Sequence, residues 1–270
     1  MAHVKPILGT MTFGMQADER ESRAMLDYFF EKGHSELDTA FVYHDGKTES
    51  ILGSILPRDK VRAQTESGPL YLATKAHPRA TGKLDSESVT MQLEESLRRL
   101  RRTRVDLFYL HAPDARTPID QALRACARLD EKNKFGELGL SNFPAWMVAH
   151  VWHLSRERNC PRPAVFQGLY NAISRRAEGE LFPALRELGM RFYAYNPLAG
   201  GILTGKYANH GDLPSGGRFT ILPYYRDRYW RKSLFDAVAR LSSVCREEGI
   251  EPAAASLRWL AHHSFLDPSH

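Results

Sequence analysis

SESVTMQLEESLRRLRRTRVDLFYLH, residues Ser86–His111, is the stretch that decides how this chain folds. Ser86–Leu100 places Val89, Leu93, Leu97 and Leu100 at helical spacing, with Asp85 and Ser86 as capping candidates. A short basic turn follows, and Val105–His111 (VDLFYLH) is then a β-rich run of strand length. Working outward, similar runs recur at Lys5–Gly9, Ser35–Thr39, Leu70–Thr74, Phe135–Leu140, Ala164–Leu169 and Arg191–Tyr195. Helical spacing fills the intervals. Arg20–Lys32 carries Met25, Leu26, Phe29 and Phe30 on one stripe, and Pro118–Lys132, Pro144–Arg158, Ala177–Leu188, Leu234–Glu248 and Pro252–His263 follow suit. Several of these helices open with proline in the first turn, where its missing N–H costs nothing.

Strand and helix alternating with little sign of hairpins predicts parallel βαβ units. Near-equal units without a break in composition favour one closed barrel, a single domain over residues 1–270. A doubly wound open sheet is the alternative, but Gly9–Gly14 (GTMTFG) follows the first run without the G-x-G-x-x-G spacing. The expected fold is therefore α/β, a TIM-type (β/α)8 barrel with the eighth strand and helix missing from this chain. Seven units are readable, and Ser264–His270 is too short to supply another. Two further segments are expected to be loops. Pro57–Pro69 is polar and turn-rich, and Tyr207–Arg231 is long and holds Tyr207, Tyr224, Tyr225 and Tyr229. A long loop after a barrel strand shapes an active site.

Composition narrows the class. The chain has 270 residues, 43% hydrophobic and 26% charged, too apolar for a disordered chain. There is no apolar run of spanning length and no secretory h-region at the N-terminus. Three widely spaced cysteines, Cys126, Cys160 and Cys245, argue against a disulfide framework and for a reducing, cytoplasmic setting. Cys126 and Cys245 fall within helices and are expected buried, whereas Cys160 falls in a loop and is expected exposed. A net charge of +5 is too mild to name a partner. The run Arg98–Arg104 (RRLRRTR) reads as a solvated helix end, without the aromatic interleaving of a nucleic-acid surface. His262 and His263 are adjacent and not at ligand spacing, so no metal site is expected. Trp146, Trp152 and Trp259 are expected to pack, and Trp230 to line a pocket.

In a parallel barrel, chemistry sits where the strands end. Asp38 ends the second run with Tyr43 in the loop beyond, Lys75 ends the third, and His111 ends the fourth. Ser141 and Asn142 end the fifth, Gln167–Asn171 the sixth, and Asn196–Pro197 the seventh. An acid, a phenol, an amine and an imidazole form a proton-transfer set. Free tyrosine titrates near 10, and a neighbouring ammonium brings a phenol toward the working range. An Asp beside that Lys holds the amine in place, and a neutral His is suited to orient a carbonyl.

Leu37–Tyr43 (LDTAFVY), Thr74-Lys75, Asp106–His111 (DLFYLH), Gly139–Asn142 (GLSN) and Tyr195–Gly201 (YNPLAGG) resemble the aldo-keto reductases in order along nearly the whole chain. Gln167–Ile173 (QGLYNAI), Asn196–Lys206 (NPLAGGILTGK) and Arg226–Trp230 (RDRYW) are similar to the subgroup of aflatoxin aldehyde and succinic semialdehyde reductases. The resemblance implies NADPH-dependent reduction of aldehydes and ketones, a small-molecule carbonyl being the substrate, with no nucleic acid and no membrane involved. It implies Tyr43 as proton donor, Lys75 as the group that tunes it, Asp38 as the partner of Lys75, and His111 on the carbonyl oxygen. Ser141, Asn142 and Gln167 would hold the carboxamide, with Asp38 also beside the cofactor and Tyr195 stacked on its ring. The segment Asn196, Pro197, Leu198, Ala199, Gly200, Gly201, Ile202, Leu203, Thr204, Gly205 and Lys206 would wrap the pyrophosphate, with Arg218 as a further contact. Tyr225 and Arg228 match substrate-contacting positions, where an Arg grips a carboxylate with two hydrogen bonds.

Family members continue into an eighth unit that holds the adenosine 2′-phosphate, which predicts weak NADPH binding here, low stability or reliance on a partner. A homodimer, or a mixed dimer with a complete relative, would cover the strand edges. Two other classes compete with a working reductase. One is a binding module of the kind that serves channel assemblies. The other is a shortened, weakly active or inactive barrel that partners complete relatives.

Overall fold

The computed structural model describes residues 4–56, 64–65, 68–207 and 209–266. Strands β1 (Leu8–Gly9), β2 (Glu36–Asp38), β3 (Tyr71–Ala76), β4 (Val105–Leu110), β5 (Phe135–Ser141), β6 (Pro163–Leu169) and β7 (Arg191–Tyr195) form one sheet in chain order. The first five pair in parallel, with Leu8 beside Leu37, Leu37 beside Leu72, Ala73 beside Leu107 and Leu107 beside Glu137. This is the strand–helix repeat of the TIM-barrel class, with seven strands in this sheet among the described residues. A parallel strand covered on both faces reads as one apolar run, and Leu107, Phe108, Tyr109 and Leu110 of β4 are all fully buried.

The helices are α1 (Glu19–Glu31), α2 (Lys47–Ile55), α3 (Ser86–Leu100), α4 (Ile119–Glu131), α5 (Ala145–Glu157), α6 (Leu181–Glu187), α7 (Arg218–Ile221), α8 (Pro223–Tyr229), α9 (Lys232–Glu247) and α10 (Pro252–His262). Asp18 and Glu21 cap α1 reciprocally, and the Asp85 carboxylate accepts from the Ser88 N–H at 2.9 Å to cap α3. Pro252 occupies the first turn of α10, but Pro118 and Pro144 sit one place earlier, as N-caps of α4 and α5.

Several expectations need correction. The helix expected over Ala177–Leu188 divides into a 3-10 turn at Arg176–Glu178 and the shorter α6. Glu178 is drawn aside by Arg175 and by the Tyr170 hydroxyl, which donates to it at 2.7 Å. The long loop Tyr207–Arg231 contains α7 and α8. In Pro57–Pro69, Gln64–Thr65 pairs antiparallel with Gly68–Pro69, and residues 57–63 and 66–67 lie outside the described residues. Cys160 is buried like Cys126 and Cys245. Trp146 is two-thirds exposed (66%), because α5 turns Val148, Val151 and Ser155 inward instead. Trp230 packs on Tyr207, Phe219 and Phe235 and donates its indole N–H to the His210 carbonyl at 2.8 Å. Among the described residues no helix is long and apolar enough to cross a membrane, and no metal-ligating cluster occurs.

The chain divides into two compact units. One comprises Pro6–Phe166 with Ala184–Arg191 and holds β1–β5 and α1–α5. Its helices approach closely through glycine. A Cβ on Gly53 of α2 would fall 2.0 Å from the Arg99 carbonyl oxygen of α3. Gly→Ala inside a helix is ordinarily favourable by about 1 kcal/mol. At Gly53 the sign should reverse, with overpacking costing about 1–3 kcal/mol and lowering the melting temperature. Thermal unfolding of Gly53→Ala checks this, and an unchanged or raised midpoint would refute the close packing. The other unit is built on Gln167–Pro183 and Phe192 onward. Its interior includes an aromatic cluster in which Tyr170, Phe182, Phe192 and Trp259 meet at ring separations of 4.7–6.0 Å.

Candidate active site

In the first unit, the ends of β2, β3 and β4 bring four of the anticipated residues together. Asp38 is the last residue of β2, and its carbonyl accepts from both the backbone N–H and the hydroxyl of Thr10, each at 2.9 Å. Lys75, in β3, is fully buried. Its ammonium forms an ion pair with Asp38, donates to the Thr39 carbonyl at 2.7 Å, and reaches the Tyr43 hydroxyl at 3.4 Å. Burial pushes the Lys75 amine down from its ordinary range, and Asp38 pulls it back. Tyr43 sits at a sharp reversal, followed by His44, Asp45 and Gly46 in the left-handed region at φ 46°, 51° and 86°. Glycine suits the last of these, and a side chain there would also collide with Arg99, whose Cζ lies 2.3 Å from the position of a Cβ.

His111 follows β4, and its backbone N–H donates to the Ala76 carbonyl at 2.9 Å. The ring stands edge-on to Tyr43 at 5.9 Å. Its Nδ1 is buried and makes no hydrogen bond among the described residues. Burial, and then the positive charge of Lys75, hold the imidazole well below its ordinary titration range, so it is neutral at physiological pH. His77 lies 4.8 Å from His111, ring to ring, and burial lowers it to about 4. The site thus holds a phenol beside a buried amine and a neutral imidazole. Such a set can donate a proton to an oxygen while that oxygen gains charge, and can stabilise the phenolate left behind. Asn142, in the left-handed region at φ 63°, donates its amide to the His111 carbonyl and to the Ser141 hydroxyl, both at 3.0 Å. Ser141 itself is buried.

The remaining anticipated residues lie in the second unit. Gln167 is buried in β6, and Tyr195 ends β7. Burial pushes the Tyr195 phenol up, and the Arg228 guanidinium opposes that shift. Asn196, at φ 57°, is held on both sides. Its carboxamide accepts from the Tyr225 hydroxyl at 3.0 Å and donates to the Tyr229 hydroxyl at 3.1 Å, and its carbonyl accepts from Asn171 at 3.0 Å. Tyr225 is buried beneath Gly200, whereas Arg228 is exposed. Ala199, Ile202 and Leu203 turn their side chains into the core. Gly200, Gly201 and Gly205 all have positive φ. At Gly201 a Cβ would meet nothing nearer than Tyr207 at 3.8 Å and Lys206 at 4.0 Å, which leaves bare backbone beside an amine. Arg218 lies over the Tyr225 ring at 5.1 Å.

Sequence reading passes over His77 and Glu49 and takes Arg99 as part of a solvated helix end, whereas Arg99 is only 16% exposed and pairs with the fully buried Glu49. No local signal marks Glu49, because Thr48 and Glu49 share the buried face of α2 with Ile51, Leu52, Gly53 and Ile55 only through partners distant in sequence.

The family model described as "Aldo/keto reductase family" matches residues 6–269. Human "Aldo-keto reductase family 7 member A3" is 44% identical over 98% of this chain and 81% of its own length. Human "Aflatoxin B1 aldehyde reductase member 2" is 45% identical over 99% of this chain and 76% of its own. The mouse protein of that same name is 45% identical over 96% of this chain and 72% of its own. With a family match along nearly its whole length and relatives of this similarity, the chain belongs to the aldo/keto reductase family, enzymes of oxidoreduction at carbonyl groups.

Proposed function

We propose that this protein reduces aldehydes and ketones to alcohols with NADPH, and that Tyr43 supplies the proton. The observation that carries the reading is the buried Lys75 ammonium, which bridges the Asp38 carboxylate and the Tyr43 hydroxyl. Tyr43 gives its proton to the carbonyl oxygen as negative charge develops there, and Lys75 stabilises the phenolate that results. Asp38 keeps a proton on Lys75 and fixes its direction. The neutral His111 donates a hydrogen bond to the same carbonyl oxygen and orients it. A bound reduced nicotinamide supplies the hydride. The donor set suits such a cofactor. Within the first unit, Ser141 and Asn142 offer side-chain groups that match a carboxamide; within the second, taken by itself, the bare backbone at Gly201 with Lys206 and Arg218 suits phosphate. Arg228, exposed in α8, suits a substrate that carries a carboxylate, such as succinic semialdehyde. The names of the similar proteins support aldehydes as the substrate class. The three free cysteines suit a reducing, cytoplasmic location.

The test is loss of absorbance at 340 nm with 4-nitrobenzaldehyde and with succinic semialdehyde, using NADPH and NADH in parallel. The expected result is turnover of both aldehydes, faster with NADPH. In Arg228→Ala, the KM for succinic semialdehyde should rise about ten-fold, the effect of losing roughly 1.4 kcal/mol of binding, with 4-nitrobenzaldehyde unaffected. Equal use of NADH would refute the cofactor assignment, and an unchanged KM would refute the role of Arg228.

A further inference from the structure

Behind the catalytic residues lies a second charged pair. Glu49, in the first turn of α2, is fully buried. One carboxylate oxygen accepts from the Thr74 hydroxyl at 2.7 Å, and the other from Arg99 at 3.2 Å. Burial raises the Glu49 carboxyl, and hydrogen bonds from Thr74 and Ser96 together with Arg99 counter that shift. Arg99, near the end of α3, also donates from Nε to Glu95 at 2.9 Å and from Nη1 to the Phe41 carbonyl at 3.2 Å. Its guanidinium also lies over the Phe41 ring at 4.3 Å.

The two anchors are not ordinary packing points. Thr74 immediately precedes Lys75, and Phe41 comes two residues before Tyr43. The Phe41 N–H in turn donates to the Lys75 carbonyl at 3.1 Å, so Phe41 is gripped on one side by the strand that carries the amine and on the other by Arg99. Arg99 also fills the space against Gly46, at the far end of the turn that carries Tyr43. Both backbone segments whose spacing sets the 3.4 Å separation of amine and phenol are therefore tied to one ion pair. A buried ion pair is a poor source of net stability compared with apolar groups of similar volume. What it supplies here is geometry, because the planar guanidinium of Arg99 meets three acceptors and a ring at fixed angles.

We propose that Glu49 and Arg99 are positioning residues that hold the Tyr43 hydroxyl at the Lys75 amine. The proposal rests on the reading of Tyr43 as proton donor. It predicts that disturbing the pair slows the chemical step without weakening substrate binding. A displacement of about 1 Å at reacting groups costs up to about 100-fold in rate.

The test compares Arg99→Met, Arg99→Lys and the double variant Glu49→Gln/Arg99→Met with the parent and with Tyr43→Phe. The double variant leaves no unpaired buried charge, which keeps the comparison open where Arg99→Met unfolds. In folded variants that lack Arg99, kcat should fall about 10- to 100-fold with the aldehyde KM unchanged. Arg99→Lys should recover only part of the loss, since it restores the charge without the planar guanidinium. A second readout needs no turnover. In protein labelled with 13C at tyrosine Cζ, the Tyr43 resonance, assigned by its loss in Tyr43→Phe, should move in the variants. Parent-like kcat and an unmoved resonance in the folded double variant would overturn the positioning role alone. Undiminished activity in Tyr43→Phe would instead overturn the proton-donor reading, and the proposal with it.

Discussion

Replacing Tyr43 by Phe should lower kcat for aldehyde reduction by about 100- to 10,000-fold, the usual contribution of a positioned general acid. The substitution removes only the hydroxyl oxygen. The ring keeps its edge-on contact with His111, and Lys75 keeps Asp38 and the Thr39 carbonyl. Fold and cofactor affinity should therefore stay close to the parent's, as read by thermal unfolding and by quenching of tryptophan fluorescence on NADPH addition. The expected pattern is a folded, cofactor-binding protein that does not turn over. A variant within a few-fold of parental kcat would show that the proton comes from elsewhere.

Lys75→Met should damage both activity and stability. The amine is the group within reach of the Tyr43 phenol, so kcat should fall about as far as in Tyr43→Phe. It is also the partner of Asp38, only 7% exposed, which would be left as a nearly buried charge at a cost of about 3–5 kcal/mol. The two losses can be separated. Asp38→Asn/Lys75→Met removes the stranded charge and should recover most of the stability, with kcat still at the level of the single variant. Urea unfolding and steady-state kinetics on the same preparations check this. Recovery of activity along with stability would mean that Lys75 serves only the fold.

The chemistry of this chain was more legible than its architecture. β4 could be bounded within a residue because a strand buried on both faces reads as unbroken Leu-Phe-Tyr-Leu, and knowing where such runs stop places Asp38, Lys75 and His111. α2 could not be delimited. KTESILGSI buries Thr48 and Glu49, and partners distant in sequence make that burial tolerable: the Phe13 carbonyl for Thr48, and Thr74, Ser96 and Arg99 for Glu49. α8 was hidden for a similar reason. PYYRDRY has no aliphatic stripe, and its inner face is Tyr225 and Tyr229, whose hydroxyls are satisfied by Asn196. Cys160 was misread because a loop position says nothing of what packs over it. Local pattern reports the strands and their ends, whereas polar groups buried against distant partners become readable only once the chain is folded.

The most direct test of the account is stoichiometry. Purified protein with NADPH and succinic semialdehyde should consume NADPH at 340 nm and form the corresponding alcohol, measured by proton NMR, in a one-to-one ratio. Neither change should occur above background with Tyr43→Phe. NADPH that binds but is not oxidised in the presence of aldehyde, or oxidation without the alcohol, would contradict it.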